Sequence, residues 1–376
     1  MKKRFFIPVL TGMFLIFING CTDFQRPIHH ASPMVRVLLH RGGEIVIRPH
    51  DSFIFSANTR SEIGRGNVNI RIADGAMVVN GVSTHIDQIE IAPSEYFLFN
   101  GKRYRGIARV INTGNDLMLV NVLDIESYLY GVLPMEVPAL WENDALKAQA
   151  VASRTYAIYE IVRARALNRG FDLYADTRSQ VYGGMDAETK FTTAAVNNTM
   201  GEVIKYEGKI IKAYYHSCAG GLTESSEAMF GETRPYLMPV NSSFGRIYES
   251  YNWEIGILLS EFKSKAGGLI PGEIVAINVI ERSPSQRISR LEITDSLGNK
   301  IPMSGNDFRM IVGATIMKST RANIRLSEDK ITVQGVGYGH GVGMGQWDAQ
   351  GMAVSGYRYN DILGYFYRGT RVSRMW

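Results

Sequence analysis

The residues from Gly131 to Pro138 read Gly-Val-Leu-Pro-Met-Glu-Val-Pro and hold one carboxyl group, Glu136, between Pro134 and Pro138. Two prolines argue against regular helix and predict a short loop of restricted backbone. Met135 and Val137 give Glu136 apolar neighbours. A carboxyl group held among apolar side chains has its ionised form disfavoured, which raises its pKa above the ~4.3 of free Glu. A general acid working near neutral pH needs that property. The plain alternative is a surface glutamate just ahead of a helix.

Four further segments carry reactive side chains. Lys147 and Arg154 stand seven apart in a helical segment, two turns, and so share a face that could present donors to a sugar or a carboxylate near Glu136; Gln149 points to another side. Asp176 to Gly184 is polar and ends in two glycines, a loop by itself. Tyr214 to Glu224 places His216, Ser217 and Cys218 in succession, which invites a nucleophile reading with His216 or His340 as base. In an extended chain, however, His216 and Cys218 would share one face and Ser217 the other, and the Gly-x-Ser-x-Gly elbow is missing. Cys218 therefore reads as a small buried residue. Last, glycine occupies every second position from Gly335 to Gly345, with His340 in the middle and Gln346 at the end. No Gly-Lys-Ser/Thr or dinucleotide pattern accompanies it. Glycine at that density marks close approach of a ligand or of another backbone.

The elements that must position these groups are mixed. Val35–Leu39, Glu44–Ile47, Val68–Ile72, Tyr96–Phe99 and Leu117–Val120 are short β-branched or aromatic runs, separated by turn pairs such as Asn80-Gly81 and Asn100-Gly101. A helix is predicted from Asn143 or Asp144, as N-cap, to about Ala164, with Leu146, Ala150, Ala157 and Ile161 as its apolar stripe. Strands are expected at Val203–Ile211, Leu291–Ile293 and Ile331–Val333, and two short helices at Gln346–Ser355 and Asn360–Tyr367. The fold class is α+β: an antiparallel β-rich body with one long and several short helices around a cleft.

The 376 residues suffice for two or three packed units. Lys2, Lys3 and Arg4 precede the mostly apolar run Phe5–Ile18, which is shorter than the ~20 residues of a spanning helix and fits an export signal. Ile18-Asn19-Gly20-Cys21 resembles a lipobox, so Cys21 is the expected lipidation site, with a polar tether over 21–34. Without its three N-terminal cations the chain carries 38 basic and 36 acidic side chains, so the formal +5 loses most of its meaning. Nucleic acid is not an expected partner. The expected location is outside the cytoplasm, lipid-anchored to a membrane face. With Cys21 lipidated, Cys218 is left alone, which excludes an internal disulfide and any Cys-rich metal cluster.

Together the motifs resemble the SpoIID/LytB family of bacterial cell-wall proteins. The resemblance lies in Gly131–Pro138, Ala145–Tyr156, Gln180–Gly184, Ser217–Glu224 and Gly335–Gln346, and extends from about Val35 to Thr370. It implies a β-rich part over 35–112 followed by a catalytic region over 113–376. It also implies a lytic transglycosylase that cuts peptidoglycan glycan strands, particularly peptide-stripped ones, with Glu136 as catalytic acid. Lys147, Gln149, Arg154, Tyr156, Gln180, Tyr182, Ser217, Gly220, Gly221, His340, Gly341 and Gln346 match motif positions and are implied to bind sugar or stabilise charge. Some relatives carry a zinc site that includes a His-Cys pair before Gln-Val-Tyr; Arg178-Ser179 stands there instead, so no metal or other cofactor is expected, although His216, Cys218 and His340 remain as ligand types. Ser283-Pro284-Ser285-Gln286-Arg287 also departs from the family, which tends to have glycine before the arginine. The resemblance leaves a second reading, a non-catalytic enhancer of an N-acetylmuramoyl-L-alanine amidase or a glycan binder. A serine hydrolase using Ser217 is a third.

Overall fold

A computed structural model describes residues 32–58 and 60–376. The segment expected to be an export signal, Cys21 and most of the expected tether lie outside the described residues. The end of the tether is already part of the fold, since the Pro33 carbonyl accepts the Ile125 N–H and Met34 opens the first strand.

The α+β class holds, with an antiparallel β-rich body. A seven-stranded sheet runs in the order Leu173–Tyr174, Met34–Gly42, Leu117–Asp124, Ile107–Asn112, Gln88–Pro93, Ser52–Ala57, Arg60–Arg65. A six-stranded sheet runs Lys102–Arg105, Tyr96–Phe99, Glu44–Pro49, Val68–Ala73, Ala76–Val79, Val82–Thr84. Alternation explains their packing: Val35 and Val37, Ile45 and Ile47, Ile89 and Ile91, Phe97 and Phe99 point inward into one shared core. Leu117–Asp124 is apolar on both faces and buried on both. The boundary at 112/113 falls between two strands paired from Ile107↔Val122 to Asn112↔Leu117, so it divides one sheet.

That last strand feeds helix α1 (Ile125–Glu136), capped by Asp124, whose carboxylate accepts the N–H groups of Glu126 and Ser127. Here the expected proline-bracketed loop is corrected. Pro134 lies inside the helix, and Glu136 is its last residue. A proline in the final turn removes only its own N–H bond, and the burial of Ile125, Tyr128, Leu129, Val132 and Leu133 outweighs the loss. Pro138 does end the segment: Val137, the residue before it, is extended at φ −140° and ψ 147°.

Helix α2 (Asn143–Ala166) is the expected long helix, two residues longer. The capping expectation differs, because Glu142 is the N-cap without a side-chain bond, and Asp144 instead accepts the Tyr359 N–H. Leu146, Ala150, Ala157 and Ile161, the expected apolar stripe, all lie in the β-sheet core. The opposite side, Ala148, Val151 and Ala152, packs into a second core with the helices Gln346–Val354 and Tyr359–Phe366. Alanines on both faces let two cores close on one helix. A third core fills the region from Trp253 to Val333, between the sheet Asn252–Leu258, Lys330–Val336, Ala322–Leu326 and the hairpin strands Ile274–Arg282 and Ile288–Asp295. Among the described residues no helix is long and apolar enough to cross a membrane.

Candidate functional site

Glu136 ends α1 at the edge of a cavity of about 360 Å³, also lined by Tyr156, Arg178, Tyr214, Tyr215, Phe230 and His340. Among the described residues it is the only carboxyl group in that lining. Glu136 Oε1 accepts the Val181 N–H at 3.3 Å and Oε2 accepts the Gln346 amide at 3.4 Å, and the Tyr215 hydroxyl also hydrogen-bonds to the carboxyl. Burial pushes its pKa above the ordinary value, and these three bonds pull against that shift without cancelling it. The result is a carboxyl group whose pKa is displaced upward by burial and restrained by hydrogen bonding.

Behind Glu136 stands a buried relay. Gln180 Nε2 donates to the Tyr215 hydroxyl at 3.0 Å and to the Ser153 carbonyl at 3.3 Å, and its Oε1 accepts from the Tyr128 hydroxyl at 3.2 Å. Because Tyr215 oxygen accepts from Gln180, its own proton is free for Glu136. Burial raises the Tyr215 and Tyr128 hydroxyls well above the ordinary tyrosine value, so both stay protonated. Tyr215 was not singled out in the sequence; it precedes His216 in a paired segment, Tyr215–His216 alongside Met344–Gly345, and only that pairing brings it to Glu136.

The alternating glycines are explained by backbone contact. Val336 ends a strand, after which Gly337, Gly339, Gly341 and Gly343 all have positive φ, from 73° to 103°. A Cβ on Gly337 would meet the Cys218 carbonyl and the Gly220 N–H, and one on Gly339 would meet the His216 side chain. The run therefore wraps against Tyr214–Gly220. It leaves His340 half-buried in the cavity wall, 5.8 Å from the Tyr214 ring and 5.5 Å from the Phe230 ring, centroid to centroid. Its Nδ1 accepts the Val342 N–H at 3.0 Å, which leaves Nε2 as the protonated nitrogen. Burial, with Arg287 and Arg309 nearby, lowers its pKa to about 4, so the ring is neutral at physiological pH.

Several motif residues lie elsewhere. Arg154 is fully buried, its Nη2 2.6 Å from Glu126 Oε2, and also reaches the carbonyls of Val196 and Glu202. The expectation that Arg154 faces a sugar beside Glu136 is thus corrected: it ties α1 to α2 and to the helix Lys190–Asn198. Lys147 lies over the Tyr359 ring at 5.8 Å, away from the cavity lining. Gln149 is buried and donates to Ser153 Oγ at 3.1 Å. Tyr182 is buried, its hydroxyl donating to Asn121 Oδ1 at 3.1 Å. Ser217 does not line the cavity; its carbonyl accepts the Trp347 N–H. Gly220 and Gly221 have φ of 70° and 102° and admit the glycine-run backbone and Arg321, while Gly341 admits the Arg287 guanidinium.

The predicted alternation is present: His216 and Cys218 are buried while Ser217 is not. Cys218 Sγ contacts the Gly245 carbonyl at 3.7 Å, and burial pushes its thiol up to about 12, which removes it as a nucleophile. Among the described residues no three His, Cys, Asp or Glu side chains group as metal ligands; Cys218 Sγ turns to the Gly245 carbonyl, and His216 is held through Nδ1 on the Val342 carbonyl with its Nε2 buried and unpartnered. Arg178, where some relatives have a ligand, forks onto Asp176 and lies 3.9 Å from the Tyr174 ring centre. Asp348, another buried acid, is spent on Ser242 and on the N–H groups of Ala219 and Gly245.

Comparison with known proteins fits this geometry. Residues 113–206 match the family model SpoIID, stage II sporulation protein, a range that holds Glu136, Tyr128, Ser153 and Gln180 but not Tyr215. The stage II sporulation protein D of Bacillus subtilis is 30% identical over 267 residues, covering 68% of this chain and 76% of that protein. The chain belongs to the SpoIID family. An uncharacterised protein of Brachyspira hyodysenteriae is 32% identical over 296 residues, 78% of each chain. A Bacillus subtilis protein named amidase enhancer is 28% identical over 365 residues, 82% of this chain but only 50% of its own length. In this SpoIID-family chain, residues 248–343 also match a domain of unknown function, DUF8618.

Proposed function

We propose that the protein is a lytic transglycosylase that cuts peptide-stripped peptidoglycan strands, with Glu136 acting twice. The observation that carries this reading is a single carboxyl group, its pKa raised by burial, in the described lining of the cavity. Glycoside hydrolysis ordinarily needs two carboxyl groups, one for the leaving oxygen and one for water or the anomeric carbon. A transglycosylase needs one. Glu136 gives its proton to the glycosidic oxygen as the bond from C1 breaks; the muramoyl 6-hydroxyl then bonds to C1, and Glu136 carboxylate takes the hydroxyl proton. The 1,6-anhydro ring closes, no water is consumed, and Glu136 ends as it began. Tyr215 and Gln346 steady the carboxylate between the two proton transfers, and the neutral His340 ring forms part of the wall against which sugar would lie. Tyr156, Tyr214 and Phe230 supply ring surface. Mass analysis of the ends released from peptide-free glycan tests the reading, because an anhydro end is lighter than a hydrolysed one by one water.

A second reading rests on the relative named amidase enhancer. The chain would then hold glycan, or a cell-wall amidase, without turnover. The envelope location and lipid anchor at Cys21 belong to the same proposal: an exported protein facing the wall has its substrate at hand.

A further inference from the structure

A second cavity, of about 720 Å³, lies within the region matched to the domain of unknown function and shares no lining residue with the Glu136 cavity. It sits on the sheet Asn252–Leu258, Lys330–Val336, Ala322–Leu326, beside the turn of the hairpin that carries Arg282 and Gln286. In its floor Glu254, Gln334 and Asn323 are register partners across three strands. Glu254, the one acid in the lining, is engaged by Gln334, whose amide donates to it at 2.6 Å.

Two half-buried guanidinium groups remain. Arg282 spends its Nη hydrogens on the carbonyls of Gln286 and Ala322 and on Asn323 Oδ1. Arg321 makes one bond, to the Gly220 carbonyl. Among the described residues neither has a carboxylate within ion-pair distance. An arginine carries five N–H donors in a planar fork suited to carboxylates. Both side chains are held in place by neutral carbonyls, so their charge and several donors are left for a ligand. The amides of Asn252, Asn323 and Gln334 and the Gln286 side chain add neutral partners for hydroxyl or amide groups.

We propose that this cavity binds a carboxylate carried on a polar cell-wall fragment, with Arg282 and Arg321 receiving the carboxylate. The wall offers two sources of that chemistry: the lactyl carboxylate exposed on a peptide-stripped muramoyl sugar, and the free C-terminus of a stem peptide. Only the choice of source rests on the cell-wall reading. A site of this kind would hold wall material on the chain independently of turnover at Glu136.

The test compares four probes on the full chain by calorimetric titration: N-acetylmuramic acid, its lactyl amide, a short stem peptide and its C-terminal amide. One acid should bind about tenfold more tightly than its own amide, the scale of a charge-assisted fork. The pair that shows the preference identifies the source. The preference should persist in Glu136→Gln, fall in Arg321→Gln, and vanish in the Arg282→Gln, Arg321→Gln double variant. Arg321→Lys, which keeps the charge and can still reach Gly220, should retain part of it; this variant carries the test if the double variant unfolds at a lower temperature than the assay. No preference in the wild type, or an undiminished one in Arg321→Gln, overturns the proposal. A failure of Glu136 as catalyst would show instead as missing anhydro products, with the binding preference intact.

Discussion

Gln346 donates its side-chain amide to Glu136 Oε2 at 3.4 Å, across 210 residues of sequence. With the Val181 N–H and Tyr215 hydroxyl it favours the charged carboxylate, while burial favours the neutral acid. Removing a partner tips this balance in a known direction. Gln346→Leu or Tyr215→Phe should raise the Glu136 pKa further. Because a general acid is lost as pH rises through its pKa, the alkaline limb of the pH–rate profile should move to higher pH in both variants. A limb that stays in place in both would separate these residues from the carboxyl group.

The same burial affects stability. Glu136 has a folded pKa above its unfolded one, so its contribution is fully favourable below the unfolded value of 4.5 and is lost as pH rises through the folded pKa. Glu136→Gln removes that loss. Its melting temperature should exceed the wild type's at pH 7, and the gap should close below about pH 4, where the wild-type carboxyl is protonated in both states. Parallel thermal melts at the two pH values measure this.

Arg154 and Glu126 form a buried pair at 2.6 Å. Arg154→Met strands a carboxylate in the core and should cost about 3–5 kcal/mol in denaturant unfolding. Lys147→Met, on the half-buried ring of Tyr359, should cost less than about 1 kcal/mol. Equal costs would mean that Arg154 is not the core residue described above.

Much of the frame was legible in the sequence. Short β-branched and aromatic runs between turn signals predict the strands, and Leu146, Ala150, Ala157 and Ile161 predict an apolar stripe on α2, which proves to be the side that meets the β-core. Glu136 stands out by its apolar neighbours, but its displaced pKa comes from burial among residues distant in sequence: Met135 is 47% exposed, and neither it nor Val137 lines the cavity. The failures share a cause. Proline rules placed Glu136 in a loop, whereas the Asp124 cap and five buried apolar residues carry α1 past Pro134. Helical spacing put Lys147 and Arg154 on a common side but could not say that Glu126 waits opposite Arg154. Nothing local marks Tyr215, which reaches Glu136 only because Tyr215–His216 pairs in parallel with Met344–Gly345. Local patterns specify elements; partners distant in sequence decide what each side chain touches.

The glycine run makes its own prediction. Gly341 has φ 85°, and its Cβ position is filled by the Arg287 guanidinium. Gly341→Ala should therefore destabilise the fold by about 2–4 kcal/mol, from left-handed strain and overpacking together. By contrast Gly356 has φ 89° with open space around it, so Gly356→Ala should show the strain alone, about 1–2 kcal/mol. Chemical denaturation of both variants distinguishes packing from backbone preference.

His340 titrates near 4. Activity should show no inflection near the ordinary histidine value of 6.5, and the imidazole resonances of His340 should stay in their neutral positions from pH 5.5 to 8. An inflection near 6.5 that disappears in His340→Gln would contradict the neutral ring assigned to it.

The central claim is that one carboxyl group cuts glycan without water. Peptide-free glycan strands should be incubated with wild type and with Glu136→Gln, and the released ends identified by mass. Wild type should give 1,6-anhydro-muramoyl ends, and Glu136→Gln should give at least about a hundredfold fewer, the usual weight of a general acid. Equal release from both proteins, ordinary reducing ends in place of anhydro ends, or no release from the wild type would contradict the account.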